Sequence, residues 1–287
     1  MDGIIIVNKE KDYTSRDVVN VISKIMGTKK VGHTGTLDPL ATGVLVVCIG
    51  NATKLVDMIT DLDKEYIAEA VLGMKTDTMD MTGNVLERQD VTILTNDIKR
   101  ALKLMVGKYE QEVPSYSAVK IKGKKLYEYA REGKEVVLPK RQVEVKELKL
   151  INEVKYCSNK TIFEFVTTVS KGTYIRSLIT DIASKLDTIG SMVNLQRTRQ
   201  GRFKIEDSYT LDDIKNGNYK LLSIEEVLDM DKVLITDDIK KQIYNGAEVP
   251  NIYNKSEILF VDNKGAVAIY KEIDGKLKAH KMFRVEE

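Results

Sequence analysis

The sequence predicts an α+β chain, with a mixed, mainly antiparallel central sheet flanked by helices and a small β-rich domain at the C-terminus. Three observations lead there. Apolar residues alternate through 143–150 and 161–169, the pattern of half-buried antiparallel strands. They recur at helical spacing after Thr14 and after Gly172. Beyond Asp231, short apolar stretches are separated by Asn-Gly and Asp-Gly pairs, which favour the positive φ angles of tight hairpins.

Residues 4–7 read as a short buried strand. Thr14 and Asp17 match the spacing of a capping box, with Asp in place of Glu, ahead of Val18, Val19, Ile22, Ile25 and Met26 on one helical face. Gly27 is placed to close that helix. A loop rich in Gly, Thr and Pro runs from 32 to 43 and leads into a strand at 44–49. A helix is expected at 52–62, a strand at 66–72 and a polar loop at 76–83. A further helix at 96–106 turns Ile98, Ala101, Leu102 and Met105 to one side. The clearest helical stripe is Ile175, Leu178, Ile179, Ile182, Ala183 and Leu186, and Ser223 with Glu226 caps a short helix near Val227.

A length of 287 residues suits one large domain with a small companion. The change in composition puts the division near Met230, giving units 1–230 and 231–287. Turns of the second unit fall at Asn245-Gly246, Asn263-Lys264-Gly265 and Asp274-Gly275. So small a unit has little core of its own and is expected to lean on the larger.

With 43% hydrophobic and 31% charged residues, the chain has material for a core and is not disordered by composition. Its longest apolar run, 44–49, falls far short of the roughly 20 residues that span a bilayer. No signal peptide is visible behind Asp2, so a cytoplasmic protein without membrane contact is expected. Cys48 and Cys157 form no CxxC pair and both read as buried free thiols. His33 and His280 are the only histidines, which excludes HExxH and multi-histidine zinc sites. No P-loop, dinucleotide fingerprint or GxSxG elbow is present. Neither metal nor cofactor is expected, and the chemistry falls to carboxylates, tyrosines, arginines and backbone groups.

The formal net charge is only +2, yet the charges are uneven. Between Lys120 and Arg141 stand eight basic residues against three acids, with Tyr116, Tyr127 and Tyr129 nearby, and 197–204 holds four basic residues and no acid. Two such patches beside aromatic residues point towards a nucleic-acid surface.

The most informative stretch is GHTGTLDPLATGVL, from Gly32 to Leu45. Its glycines and proline set a tight backbone that presents Asp38 and His33 just ahead of an apolar strand. By spacing alone, the same residues also describe a turn in which Asp38 bonds backbone N–H groups.

The stretch closely resembles the aspartate motif of the TruB family of tRNA pseudouridine synthases. Other blocks follow in the family's order: Lys64-Glu65-Tyr66, then 76–83 (TDTMDMTG), 114–120 (PSYSAVK), 123–131 (GKKLYEYAR), 171–176 (KGTYIR) and 195–199 (LQRTR). Together they cover nearly the whole chain. The chain departs from the family's KPxGxTS pattern at 9–15, where Lys9-Glu10-Lys11-Asp12-Tyr13-Thr14-Ser15 lacks both Pro and Gly, and Gln196 replaces a common arginine.

The resemblance implies a pseudouridine synthase fold and isomerisation of uridine 55 in the T-loop of tRNA. It implies Asp38 as the reactive carboxylate, Arg176 as its ion-pair partner, and Tyr66 as stacking platform and proton acceptor. Tyr174 and Leu195 would line the uracil pocket, and His33 would insert where the flipped base has left. RNA contacts are expected from Lys9, Lys124, Lys125, Arg131, Arg141, Arg197 and Arg199, with 114–141 acting as a clamp. The last 57 or so residues resemble, more loosely, a PUA-type RNA-binding module. Asp77 and Asp80 are expected to brace loops. The expected partner is the tRNA T-arm, with the protein acting as a monomer and no obligatory protein partner. Competing readings are a synthase that is RNA-guided or differently targeted, a tRNA-folding chaperone without turnover, and a glycosidase pairing Asp38 with Asp77 or Asp80.

Overall fold

The computed structural model describes residues 2–284, so the last three residues of the expected second unit lie outside it. A long central sheet carries most of the chain. Its main strands are β1 (Gly3–Lys9), β2 (Thr42–Ile49), β3 (Lys64–Leu72), β4 (Gly107–Glu112), β5 (Lys140–Leu150), β6 (Lys160–Val169) and β7 (Gly190–Gln200). Across the sheet they run β1-β2-β7-β3-β6-β5-β4. Neighbours along this path are antiparallel except β2 and β7, which pair in parallel through Gln196–Thr42 and Arg197–Gly43. The expected mixed, mainly antiparallel sheet is observed, and the parallel junction adjoins the loop that carries Asp38. Gly43 is required there: its φ is +96°, and a Cβ would lie 2.3 Å from the Arg197 carbonyl oxygen.

β1 and β2 are buried on both faces, which is why they read as unbroken apolar runs. Ile5, Val7, Leu45, Val47 and Ile49 enter the main core, whereas Ile4, Ile6, Val44, Val46 and Cys48 enter a second one. Three helices of ten or more residues cover the main core: α1 (Ser15–Ile25), α2 (Thr95–Leu104) and α3 (Ile175–Lys185). They contribute the expected stripes, with Val18 and Ile22 from α1, Ile98, Ala101 and Leu102 from α2, and Leu178, Ile179 and Ile182 from α3. The capping box of α1 is present, because Thr14 Oγ1 accepts from the Asp17 N–H and Asp17 Oδ2 accepts from the Thr14 N–H.

A separate five-stranded sheet contains β8 (Lys232–Leu234), β9 (Val249–Pro250), β10 (Glu257–Asp262), β11 (Gly265–Ile273) and β12 (Lys276–Met282), in the order β8-β10-β11-β12-β9. Its Leu259, Ala266 and Ile269, with Phe283 just beyond β12, pack into the second core with Ile4, Ile6, Val44 and Val46. The five-stranded sheet therefore packs against the central one. Asp274 and Gly275, at φ +55° and +75°, turn the hairpin between β11 and β12 as expected.

Three expectations need correction. Asn245-Gly246 makes no hairpin; it closes a helix, α4 (Asp237–Tyr244), with Gly246 at φ +68°. A helix C-terminus accepts the same positive φ as a hairpin turn, so the dipeptide alone does not separate them. The segment 52–62 divides into a 3₁₀ turn, Gly50–Leu55, and a short helix, Val56–Thr60. Cys157 is exposed, on the short strand Lys155–Cys157 beside β6, whereas Cys48 is buried and its thiol is pushed up to about 12 by burial. No helix of the described residues is long and apolar enough to cross a membrane.

Candidate active site

The loop between residues 34 and 41 is clasped from both sides of Asp38. Leu37 and Leu40 anchor it in the main core. Ser15 Oγ accepts from the Leu37 N–H at 2.9 Å, and the Asp12 N–H donates to the Pro39 carbonyl at 2.8 Å. Asp12 stands where the resembling motif has glycine, and it adopts the left-handed conformation glycine would, at φ +70°. The altered N-terminal motif thus still grips this loop. Further back, Gln200 Nε2 donates to Thr34 O, Thr34 Oγ1 and Ile59 O, and Arg197 donates to Val44 O and Gly35 O.

Arg176, in the first turn of α3, reaches this loop from a separate element of the cavity wall. Its Nε lies 2.9 Å from Asp38 Oδ2. The two terminal nitrogens donate to Thr78 O and Tyr116 O, each at 2.9 Å. One planar fork thereby ties the carboxylate to the 76–83 loop and to the base of the 114–141 segment. The Arg176 side chain is 5% exposed and that of Asp38 is 36% exposed, so the pair presents its carboxylate to the cavity and hides its cation. Confinement by the cavity walls pushes the Asp38 carboxyl above the ordinary carboxylate range; Arg176 and Lys9 oppose that shift, and Asp80 adds to it.

The cavity holds about 480 Å³, within the range of small-molecule sites. Asp38, Tyr66, Tyr174, Arg176, Leu195 and His33 all line it, so the six residues expected to catalyse or hold the base converge on one space. Tyr66 is buried on the central strand β3, opposite Arg197 of β7, and its hydroxyl has no protein partner among the described residues. Tyr174 precedes α3 and is fixed by Gln111, whose side chain accepts from its N–H and donates to its C=O. His33 accepts the Gly35 N–H at Nδ1, and burial, with Arg16 and Arg197 nearby, lowers its pKa. It is therefore a neutral, flat ring at neutral pH.

Among the described residues, Asp38 is the one carboxylate lining this cavity. Asp80 is buried outside it and accepts from Thr78 Oγ1, Thr82 N and Thr82 Oγ1, while Asp77 accepts from Asn84. Both brace the 76–83 loop, as expected, and neither stands across the cavity from Asp38. A glycosidase would need a second carboxylate there. Among the described residues no cluster of His, Cys, Asp and Glu is arranged to hold a metal ion.

The expected RNA contacts divide. Lys9 is fully buried and donates to Glu10 O, Tyr13 O and Pro39 O, so it frames the Asp38 loop and cannot reach a ligand. Arg197 is 1% exposed and holds the carbonyls of Gly35 in the loop and Val44 in β2, so it belongs to the cavity wall and not to an outer phosphate track. Both corrections have the same cause: neighbouring carbonyls satisfy these cations inside the fold. Arg199 is half-buried and paired with Glu65. Lys124, Lys125 and Arg131 lie on a hairpin and the short helix Leu126–Arg131, over the rings of Tyr129 and Tyr127. Arg141 is exposed at the junction of the cavity with an open groove of about 740 Å³ that also contains Lys108 and Lys171.

Ser15, Asp12 and the carbonyls of Thr78 and Tyr116 position the site from within the motif stretches, and Gln111 from outside them. The motifs point to the segments but not to these roles, and a backbone acceptor carries no side-chain chemistry that could.

Residues 23–175 match the profile described as TruB family pseudouridylate synthase (N terminal domain), and 176–235 match the tRNA pseudouridylate synthase B C-terminal domain. A protein of Bacillus licheniformis described as tRNA pseudouridine synthase B is 42% identical over 264 residues, covering 88% of this chain and 85% of its own. One of the same description from Caldanaerobacter subterraneus subsp. tengcongensis is 43% identical over 268 residues, covering 92% and 93%. Among solved structures, a chain of a Cbf5-Nop10-Gar1 complex superposes with a TM-score of 0.72 at 25% identity, covering 99% of this chain and 85% of that one.

Proposed function

The chain belongs to the TruB family of pseudouridylate synthases, and from that premise we propose that it isomerises uridine to pseudouridine in tRNA, at position 55 of the T-loop. The observation that carries the reading is the single cavity carboxylate, Asp38, held at 2.9 Å by the buried fork of Arg176 beside Tyr66.

The reaction breaks the bond from N1 of uracil to the ribose and makes one from C5. The C5 proton leaves and N1 gains one, so no water, oxidant or reductant is consumed. Asp38 serves as the reactive carboxylate, and Arg176 keeps it oriented. Tyr66, with its free hydroxyl in the cavity, stacks on the base and accepts the proton near C5. Tyr174 and Leu195 are the walls of the uracil slot. His33 fills the stack from which the base has been withdrawn, with its neutral ring giving a flat apolar face.

A base inside a folded loop must be extruded, at about a few kcal/mol, and stacking returns roughly 1–3 kcal/mol per base. Lys124, Lys125, Arg131 and Arg141 supply phosphate contacts from the 114–141 clamp. The division into units 1–230 and 231–287, a PUA-like role for the second, action as a monomer and a cytoplasmic location complete the proposal.

The test is incubation with unmodified tRNA transcript, with and without a chelator, followed by mapping of the modified uridine. Pseudouridine at position 55 in both arms is expected. Asp38→Asn is expected to abolish it while tRNA affinity stays within about tenfold, because affinity rests on phosphates and shape. Product formation by Asp38→Asn, or free uracil in place of pseudouridine, overturns the reading.

A further inference from the structure

Ser117 lies in the PSYSAVK block, and neither its spacing nor its chemistry marks it out in the sequence. In the structure it is 6% exposed and lines the Asp38 cavity, and its hydroxyl is buried without a hydrogen-bond partner. The backbone around it is fixed. The preceding Tyr116 carbonyl is held by Arg176, and the Ser117 carbonyl accepts from the Tyr127 N–H at 3.1 Å. The orphan hydroxyl therefore sits one residue from the Arg176 fork, on a segment with little freedom to turn it elsewhere.

Buried polar groups are almost always paired, and an unpaired one destabilises the protein that keeps it. We propose that Ser117 Oγ donates a hydrogen bond to a carbonyl on the polar edge of the uracil seated in the cavity, and so selects and orients the base. This rests on the reading of the cavity as a uridine site.

Isomerisation adds a reason for a hydroxyl here. Turning uracil about the axis through N3 and C6 exchanges N1 with C5, and in the same motion exchanges O2 with O4. One donor fixed in the wall meets a carbonyl oxygen before the turn and an equivalent one after it. A small donor on a fixed wall thus serves both the substrate and the product orientation.

Ser117→Ala tests the assignment. The variant is expected to melt at or above the wild-type temperature, because an unpaired buried hydroxyl has been removed. Its kcat/KM on a T-arm RNA is expected to fall by about tenfold or more, as removal of one hydrogen bond to substrate would cause. In an Asp38→Asn background, which stops turnover, Ser117→Ala is expected to weaken binding equally for RNA with uridine or 2′-deoxyuridine at the target. Weakening confined to the RNA with the 2′-hydroxyl would move the contact to the ribose and overturn the base assignment. Activity within about twofold of wild type, as a merely water-bonded serine would leave it, overturns the proposal. So does an activity loss that comes with a lowered melting temperature. A wild-type protein that forms no pseudouridine would instead remove the functional reading itself.

Discussion

Arg176 Nε stands 2.9 Å from Asp38 Oδ2, and the remaining donors of the same guanidinium close on the carbonyls of Thr78 and Tyr116. Three segments far apart in sequence are held by one side chain, so the orientation of the carboxylate depends on the loop 76–83 and on the foot of the 114–141 segment.

Arg176→Lys keeps the charge but offers a single ammonium in place of a planar fork that meets three acceptors. Turnover is expected to fall by about a hundredfold, the scale of misplacing a reacting group by about 1 Å. Single-turnover kinetics read this directly, and a rate within about threefold of wild type would show that charge alone suffices.

If Asp38 reacts as the carboxylate, activity is present above its pKa and lost as pH falls through it. Confinement raises that pKa, so the acidic limb of kcat/KM is expected above the usual carboxylate range. Asp80 contributes to the rise by repulsion, so Asp80→Asn is expected to move the limb to lower pH, whatever it does to the plateau. A limb that stays in place or moves upward contradicts the assignment.

Tyr66→Phe removes a hydroxyl without a protein partner and leaves the ring. A rate loss of about 10²–10⁴ with tRNA affinity retained is expected if that hydroxyl moves a proton. An unchanged rate would restrict Tyr66 to stacking.

Lysines of the two kinds separate by salt dependence. Replacing Lys124 and Lys125 by Ala is expected to weaken tRNA binding and to flatten its salt slope by about one for each phosphate no longer neutralised. Lys9→Ala is expected to leave the slope intact and lower the melting temperature, because three carbonyls around the Asp38 loop lose their donor. A Lys9 variant with a flattened slope would return that residue to the RNA surface.

Thiol labelling of the native protein is expected to modify Cys157 rapidly and to spare Cys48, whose thiol is pushed up to about 12. Fast modification at two sites in folded protein would contradict the buried placement of Cys48.

Elements with a strong local signature are legible in the chain itself. The Thr14–Asp17 capping box, the stripe of α3 and the alternation of β6 each depend on residues within a turn or two of one another. Asn245-Gly246 misleads for the same reason, since a hairpin and a helix end ask for the same local backbone. The six cavity residues stand in ordered motifs, and the fold brings all six together.

Lys9, Arg197 and Ser117 show where reading the chain stops. The resemblance presents the first two as RNA-contacting cations, and the third reads as an ordinary polar residue. Each is decided by its surroundings in the fold: carbonyls of Glu10, Tyr13 and Pro39 around Lys9, carbonyls of Gly35 and Val44 around Arg197, and no partner at all for the Ser117 hydroxyl among the described residues. From the chain alone came most element types and the mainly antiparallel sheet, because periodicity and capping are written in near neighbours, while the resemblance of its ordered motifs singled out the loop that carries Asp38. Only the tertiary structure decided which charges face inward, which carboxylate stands alone in the cavity and which buried hydroxyl has no partner among the described residues. Burial and hydrogen-bond satisfaction are settled by segments that meet across the fold, and a backbone carbonyl leaves no mark in the sequence that will later need it.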